Sequence, residues 1–197
     1  MCSFNTVDSF EKTIANFFGA SYGIATDSCT HAIELSLLYE NSDNVSCPKH
    51  TYVSIPMTFC KLRLNWSWEP ISWENFYYIG NTRIIDAAVL WSKGAYIPGT
   101  LMCLSFQFKK HLSIGRGGMI LTDEKNAYEI LKEMSYDGRN PYIPWAKQDI
   151  KRMGYHYYMT PECAKIGIDK FNKVKRNTPK IWSHKDYPDL STMSVFS

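Results

Sequence analysis

Apolar positions recur along the chain with two periods. Over residues 9–18, SFEKTIANFF, they fall at Phe10, Ile14, Phe17 and Phe18, a helical spacing that Gly19 can close. SYGIAT (21–26) then predicts a short strand. DSCTHAIELSLLY (27–39) predicts a mostly buried helix opened by Asp27, Ser28 or Thr30 as N-cap. NVSCP (44–48) predicts a second strand. HTYVSIPMTFCKLRLN (50–65) predicts a loop entering a helix, with Pro56 near its start. Further on, EPISW (69–73), TRIIDAAVLW (82–91, its apolar β-branched run ending in Asp86), LMCLSFQF (101–108) and GGMILTD (117–123) read as strands. EKNAYEILKEMSY (124–136) and PECAKIGIDKFNKVKRN (161–177) read as helices. Residues 137–159 are aromatic and irregular, and residues 178–197 show no period and predict a loosely packed tail. Strands alternating with helices indicate an α/β layered fold, in which ligands sit at the carboxyl ends of strands. Asp86 and Lys110 both fall just beyond such ends.

Composition narrows the partners. A net charge of +3, spread along the chain apart from FNKVKRNTPK (171–180), argues against nucleic acid. No apolar run reaches membrane-span length, and MCSFNTVDSF does not read as a signal peptide, so a cytoplasmic location is expected. The cysteines, Cys2, Cys29, Cys47, Cys60, Cys103 and Cys163, form no C-x-x-C pair or zinc-finger spacing; reduced, mostly buried thiols and no metal are expected. Aromatic residues make up 15% of the chain, enough to furnish an interface or a ligand pocket as well as a core.

Four features carry candidate chemistry, in chain order: SCT at a helix start, the aromatic of HTY, the aspartate of IIDAA, and the lysines of SFQFKKHLSIGRGG. A helix start offers free N–H groups and positive dipole character to an anion such as phosphate, though SCT is equally readable as a plain N-cap. Lys109 and Lys110 are equally readable as solvated charges. One cofactor uses all four features together. Pyridoxal phosphate takes a helix N-terminus and hydroxyls for its phosphate, an aromatic for its ring, a carboxylate for its pyridinium nitrogen and an amine for its aldehyde.

The same segments resemble the DegT/StrS family of pyridoxal-phosphate-dependent sugar aminotransferases. FFGASYGIATDSCTHAIELSL, SCPKHTYVS, RIIDAA, SFQFKKHLSIGRGGMILTD and GYHYYMTPECAKIGI are similar to that family's signature segments and occur in its order, between about Phe17 and Phe171. The resemblance implies a fold-type I large domain, a three-layer sandwich around a mostly parallel sheet, in reduced form and with the C-terminal small domain largely absent. It implies a cofactor domain over 1–175 and a tail over 176–197.

Carried over by position, Lys110 is the lysine that bonds the cofactor, while Lys109 falls on a variable place. Asp86 faces the pyridinium nitrogen and Tyr52 stacks on the ring. Ser28, Cys29 (by its backbone), Thr30 and Ser105 hold the phosphate. His156 reaches the site of a partner subunit in a homodimer with shared active sites. The implied reaction moves an amino group, from glutamate or a similar donor, to a keto-sugar nucleotide in glycan or polysaccharide synthesis. Four positions depart from the pattern. Val89 stands where the family has Gln or His, Arg116 where it has Glu, and His156 and Tyr158 where it has Asn and Arg. These departures leave open a homologue that binds pyridoxal phosphate without transaminating sugars, serving a binding or regulatory role or a small substrate. SCT and the glycine loop alone would fit a phosphate-binding module.

Overall fold

Every long strand of the central sheet alternates apolar side chains between its two faces, and this demands a helical layer on each side. The structure, a computed structural model, describes residues 4–196; Cys2 lies outside the described residues. Helix α1 (Asn5–Phe18) buries Val7, Phe10, Ile14 and Phe18 and ends at Gly19, whose φ of 86° is the left-handed backbone glycine adopts freely. β1 (Tyr22–Thr26) leads into α2 (Cys29–Tyr39). Ser28 is the N-cap of α2, its hydroxyl accepting from the His31 N–H. β2 (Asn44–Pro48) precedes α3 (Ser54–Leu62), which tolerates Pro56 because a first-turn N–H has no helical partner to lose. β3 (Asn65–Glu69), β4 (Tyr77–Tyr78), β5 (Ile84–Asp86), β6 (Leu101–Ser105), β7 (Gly118–Thr122), α4 (Lys125–Ser135) and α5 (Pro161–Val174) complete the order.

Two local expectations change. The strand expected at 69–73 lies earlier, at Asn65–Glu69, where Trp66 and Trp68 alternate with polar residues and pair in parallel with β2. The strand expected to end at Asp86 does end there, and the Asp86 carboxylate accepts the Ala88 N–H at 3.0 Å and turns the chain. The segment 176–196 is not loose. Leu190 is buried, and isolated bridges join Glu74 to Ser183 and His50 to Asp189.

The main sheet has the order β1-β7-β6-β5-β4, and β2-β3 form a separate pair. It is mixed where a mostly parallel sheet was expected: β5–β6 is parallel, while β1–β7, β6–β7 and β4–β5 are antiparallel. A parallel return needs a crossover of about a dozen residues or more, and β4 and β5 are joined only by residues 79–83, while the longer 87–100 connection carries the parallel β5–β6 return. The layers are as expected. α1 and α5 cover the face carrying Ala25, Ile85, Met102, Leu104, Met119 and Leu121. α2, α3 and α4 cover the face carrying Ile24, Ile84, Leu101, Cys103 and Ile120. β1, β5 and β6 run in one direction, so their carboxyl ends meet at one edge together with the start of β7.

Candidate active site

That edge opens into a cavity of about 630 Å³ lined by Ser28, Cys29, Thr30, Tyr52, Asp86, Ser105, Lys109 and Lys110. Seven of the eight residues singled out from sequence thus share one cavity; His156 does not. The reason is topological: β1 delivers the α2 N-terminus, β5 delivers Asp86, and β6 delivers Ser105 and the lysine loop.

At one end stands the start of α2. Ser28 Oγ caps His31, which leaves the N–H groups of Cys29 and Thr30 without a hydrogen-bond partner among the described residues. Gly118 makes this placement possible. A Cβ there would lie 2.4 Å from the Cys29 nitrogen and 2.3 Å from the Ser28 carbonyl carbon. The Thr30 hydroxyl meets Ser54 Oγ at 2.8 Å. The Cys29 side chain packs inward, its Sγ 3.6 Å from the Cys103 carbonyl, and burial pushes its thiol well up. Burial likewise pushes Cys103 up to about 12. These thiols are packing residues.

On the floor, Asp86 is 6% exposed. Its Oδ2 accepts from the Tyr77 hydroxyl at 2.6 Å and its Oδ1 from Ala88 N–H. Burial raises its carboxyl above the usual range, while the Tyr77 bond, the Ala88 N–H and the Lys110 charge pull it down. In the same cavity, Lys110 is half-buried; desolvation lowers its ammonium below the ordinary lysine value, against the opposing pull of Asp86. Lys109, its neighbour, is exposed, with its Nζ 5.7 Å from the Phe108 ring centroid. Tyr52 presents an exposed ring to the cavity, and Ser105 Oγ accepts a long 3.4 Å bond from Gln107 N–H. Val89 lines the wall and offers no hydrogen bond. Arg116 reaches the rim but is held by Asp27 at 2.8 Å, so an anion contact there must compete with that pair.

His156 lies away from this cavity, exposed, with Nδ1 3.1 Å from Asp137 and its ring edge-on to Tyr158. The lining residues that sequence reasoning missed include three aromatics. Tyr77 falls in 74–81, where no element was read. Trp182 and Tyr187 come from the segment expected to be loose. Aromatics without a period give no signal of where they dock.

A model of the DegT/DnrJ/EryC1/StrS aminotransferase family matches residues 1–63 and 94–182. Among curated proteins, the chain is 22% identical over 220 residues to the uncharacterised protein MJ1066 of Methanocaldococcus jannaschii, covering 84% of this chain and 56% of that protein. Among solved structures, AtS13 of Actinomadura melliaura superposes with a TM-score of 0.74 at 19% identity, covering 86% of this chain and 60% of that one. The sugar aminotransferase CalS13 of Micromonospora echinospora superposes with a TM-score of 0.73 at 12% identity, again over 86% and 60%. The chain therefore spans somewhat over half the length of these relatives. At such identities the superpositions speak to the fold.

Proposed function

The chain belongs to the DegT/DnrJ/EryC1/StrS aminotransferase family, and from that premise we propose that its cavity takes pyridoxal phosphate and that the protein transfers an amino group to a keto-sugar nucleotide. The observation that carries the reading is the placement of Lys110 and Asp86 in one cavity. A desolvated amine and a buried carboxylate line a cavity whose other end is a helix N-terminus with two N–H groups unpartnered among the described residues. Keeping both charges out of water is unfavourable unless a ligand or function uses them.

The residues present fit the group. The N–H groups of Cys29 and Thr30, with the hydroxyls of Ser28, Thr30 and Ser105, suit a phosphate. Asp86 accepts two hydrogen bonds where an ionised carboxylate has room for about four, which leaves capacity for a protonated ring nitrogen. Tyr52 offers a ring face. When bound, pyridoxal phosphate supplies an electron sink that stabilises negative charge at the carbon next to the transferred nitrogen.

This chain's own residues would do the rest. Asp86 keeps the ring nitrogen protonated, and the Tyr77 hydroxyl keeps Asp86 oriented. Lys110 would hold the cofactor through Nζ, and that amine, once displaced by the amino donor, would serve as general base and general acid for the 1,3-proton shift of each half-reaction. Its lowered affinity for protons makes it a readier proton acceptor than an exposed lysine. Val89 leaves the cavity side where a Gln or His was expected without a donor, so tuning falls more heavily on Asp86. Glutamate as amino donor, a homodimer that brings His156 toward the partner's phosphate, and a cytoplasmic setting in glycan synthesis complete the reading. Among the described residues no helix is long and apolar enough to cross a membrane.

Val89 also favours a second reading, in which the cofactor is held without sugar transamination. Turnover with glutamate and a panel of keto-sugar nucleotides separates the two. The first test is the visible absorbance of the protein with added pyridoxal phosphate. The band of a lysine-bound cofactor is expected in the wild type and in Lys109→Ala, and is expected to vanish in Lys110→Ala. A wild type with no band would overturn the reading, as would a band that survives loss of Lys110.

A further inference from the structure

The segment 176–196 leaves the end of α5 and crosses back over the mouth of the cavity. It is fastened at both ends of its crossing. Asn75 N–H donates to Trp182 O at 2.8 Å and His184 N–H to Trp73 O at 3.1 Å, which frames Glu74 and Ser183 as a non-hydrogen-bonded antiparallel pair. Further on, His50 Nδ1 lies 3.0 Å from Tyr187 O, Leu190 N–H donates to Lys49 O at 2.9 Å, and Phe196 packs edge-on to Trp68 at 5.4 Å. Between these fastenings, two aromatic side chains enter the cavity. The Trp182 ring has Lys110 Nζ 5.5 Å from its centroid and Lys180 Nζ 3.8 Å from it. The Tyr187 ring packs against Trp73 at 5.5 Å, close enough to Asp86 that the carboxylate's charge, after burial, raises the phenol.

We propose that residues 176–196 are a strap that closes the cofactor cavity from within the same chain, with Trp182 as the residue that positions the Lys110 amine. A cationic amine over an aromatic face is attracted by the ring quadrupole, and the ring bounds the space the amine can sweep. The strap must lift for a ligand to reach Lys110, and its fastenings by a few backbone hydrogen bonds are of the kind that open locally at modest cost. The inference rests on the cofactor reading only for what the cavity takes up; the closure itself is a property of the apo chain.

The test locks the strap. Glu74→Cys with Ser183→Cys, in a Cys60→Ser background, places a disulfide across a pair whose spacing suits one. Lys110 and Lys109 are then labelled with trinitrobenzenesulfonate in the apo protein and counted by peptide mass spectrometry, with the disulfide oxidised or reduced. Lys110 is expected to react at least tenfold more slowly in the oxidised form, and Lys109, which is exposed with the strap in place, equally in both. Equal Lys110 rates in the two forms would overturn the strap. In the chain without new cysteines, Trp182→Leu is expected to speed labelling of Lys110 several-fold with the rate at Lys109 unchanged. An unchanged Lys110 rate would remove Trp182 from its positioning role. Pyridoxal phosphate uptake by the reduced and oxidised forms is read separately. Failure of uptake in both, with Lys110 still protected by the lock, would sink the cofactor and leave the strap standing.

Discussion

At the scale of single residues, the site turns on how a buried carboxylate is kept. Asp86 has the Tyr77 hydroxyl on one oxygen and a backbone N–H on the other, and burial still raises its carboxyl above the ordinary range. Its folded-state value therefore lies above the unfolded value of about 3.9. The stability this group contributes is full below the unfolded value and is lost as pH rises through the folded one. Tyr77→Phe removes a bond that favours the charged form, so it moves the folded value higher and enlarges the loss. The variant is expected to be less stable by about 1–3 kcal/mol, with a wider gap at pH 8 than at pH 4.5. Urea denaturation at both pH values measures it, and a gap that stays flat would mean the hydroxyl does not act on the ionised carboxylate. Asp86 and Lys110 were legible in the sequence because each follows an apolar strand at its carboxyl end. Tyr77 was not, since a two-residue strand carries no period and its hydroxyl is recruited by tertiary packing alone.

At the scale of elements, the cavity depends on how closely β7 is laid against α2. The Cβ absent from Gly118 would fall within 2.3–2.5 Å of the Ser28 and Cys29 backbone, where no flexible side chain can yield. Gly118→Ala is expected to push the helix start off the strand, destabilising by about 1–3 kcal/mol or more and weakening phosphate binding. Isothermal titration with pyridoxal phosphate, set beside the same titration of Gly115→Ala, checks it. Gly115, unlike Gly118, bears a positive φ, of 95°, and has open space around its missing Cβ, so it reports backbone strain without displacement of α2. Equal affinities in the two variants would count against the close seating of β7 on the helix. The helices were readable from their stripes, and the Ser28 cap from the polar run before α2. Strand direction was not. An apolar run such as GGMILTD looks the same whether it pairs parallel or antiparallel, and its direction is set by tertiary pairing with β6 and β1. The strand at 65–69 hid for a different reason: its tryptophans are half-exposed, lying between the edge of the core and Phe196 of the strap.

At the scale of the whole molecule, the two helical layers are tied together around the outer edge of the sheet, at β1. Ala25 in that edge strand donates its N–H to Glu11 Oε1 of α1 at 2.7 Å, and Lys132 of α4 reaches Glu11 from the other layer at 2.6 Å. One carboxylate thus satisfies an edge amide that would otherwise be open to another chain and joins both layers. Glu11 is 3% exposed, and burial raises its carboxyl against the pull of Lys132. Removing only the cation strands the charge. Lys132→Met is expected to cost about 3–5 kcal/mol, far more than an exposed pair would. Adding Glu11→Gln should restore more than half of that loss, because glutamine still accepts from Ala25 and carries no charge. Chemical denaturation of the wild type, both single variants and the double variant completes a thermodynamic cycle. If the double variant were no more stable than Lys132→Met, the loss would come from lysine packing, and the layers would be joined by apolar contact with the sheet rather than by this pair. If the rescue appears, the edge of β1 is fixed by charge. The α2 N-terminus that β1 delivers to the cavity then inherits its position from an ion pair on the opposite side of the strand.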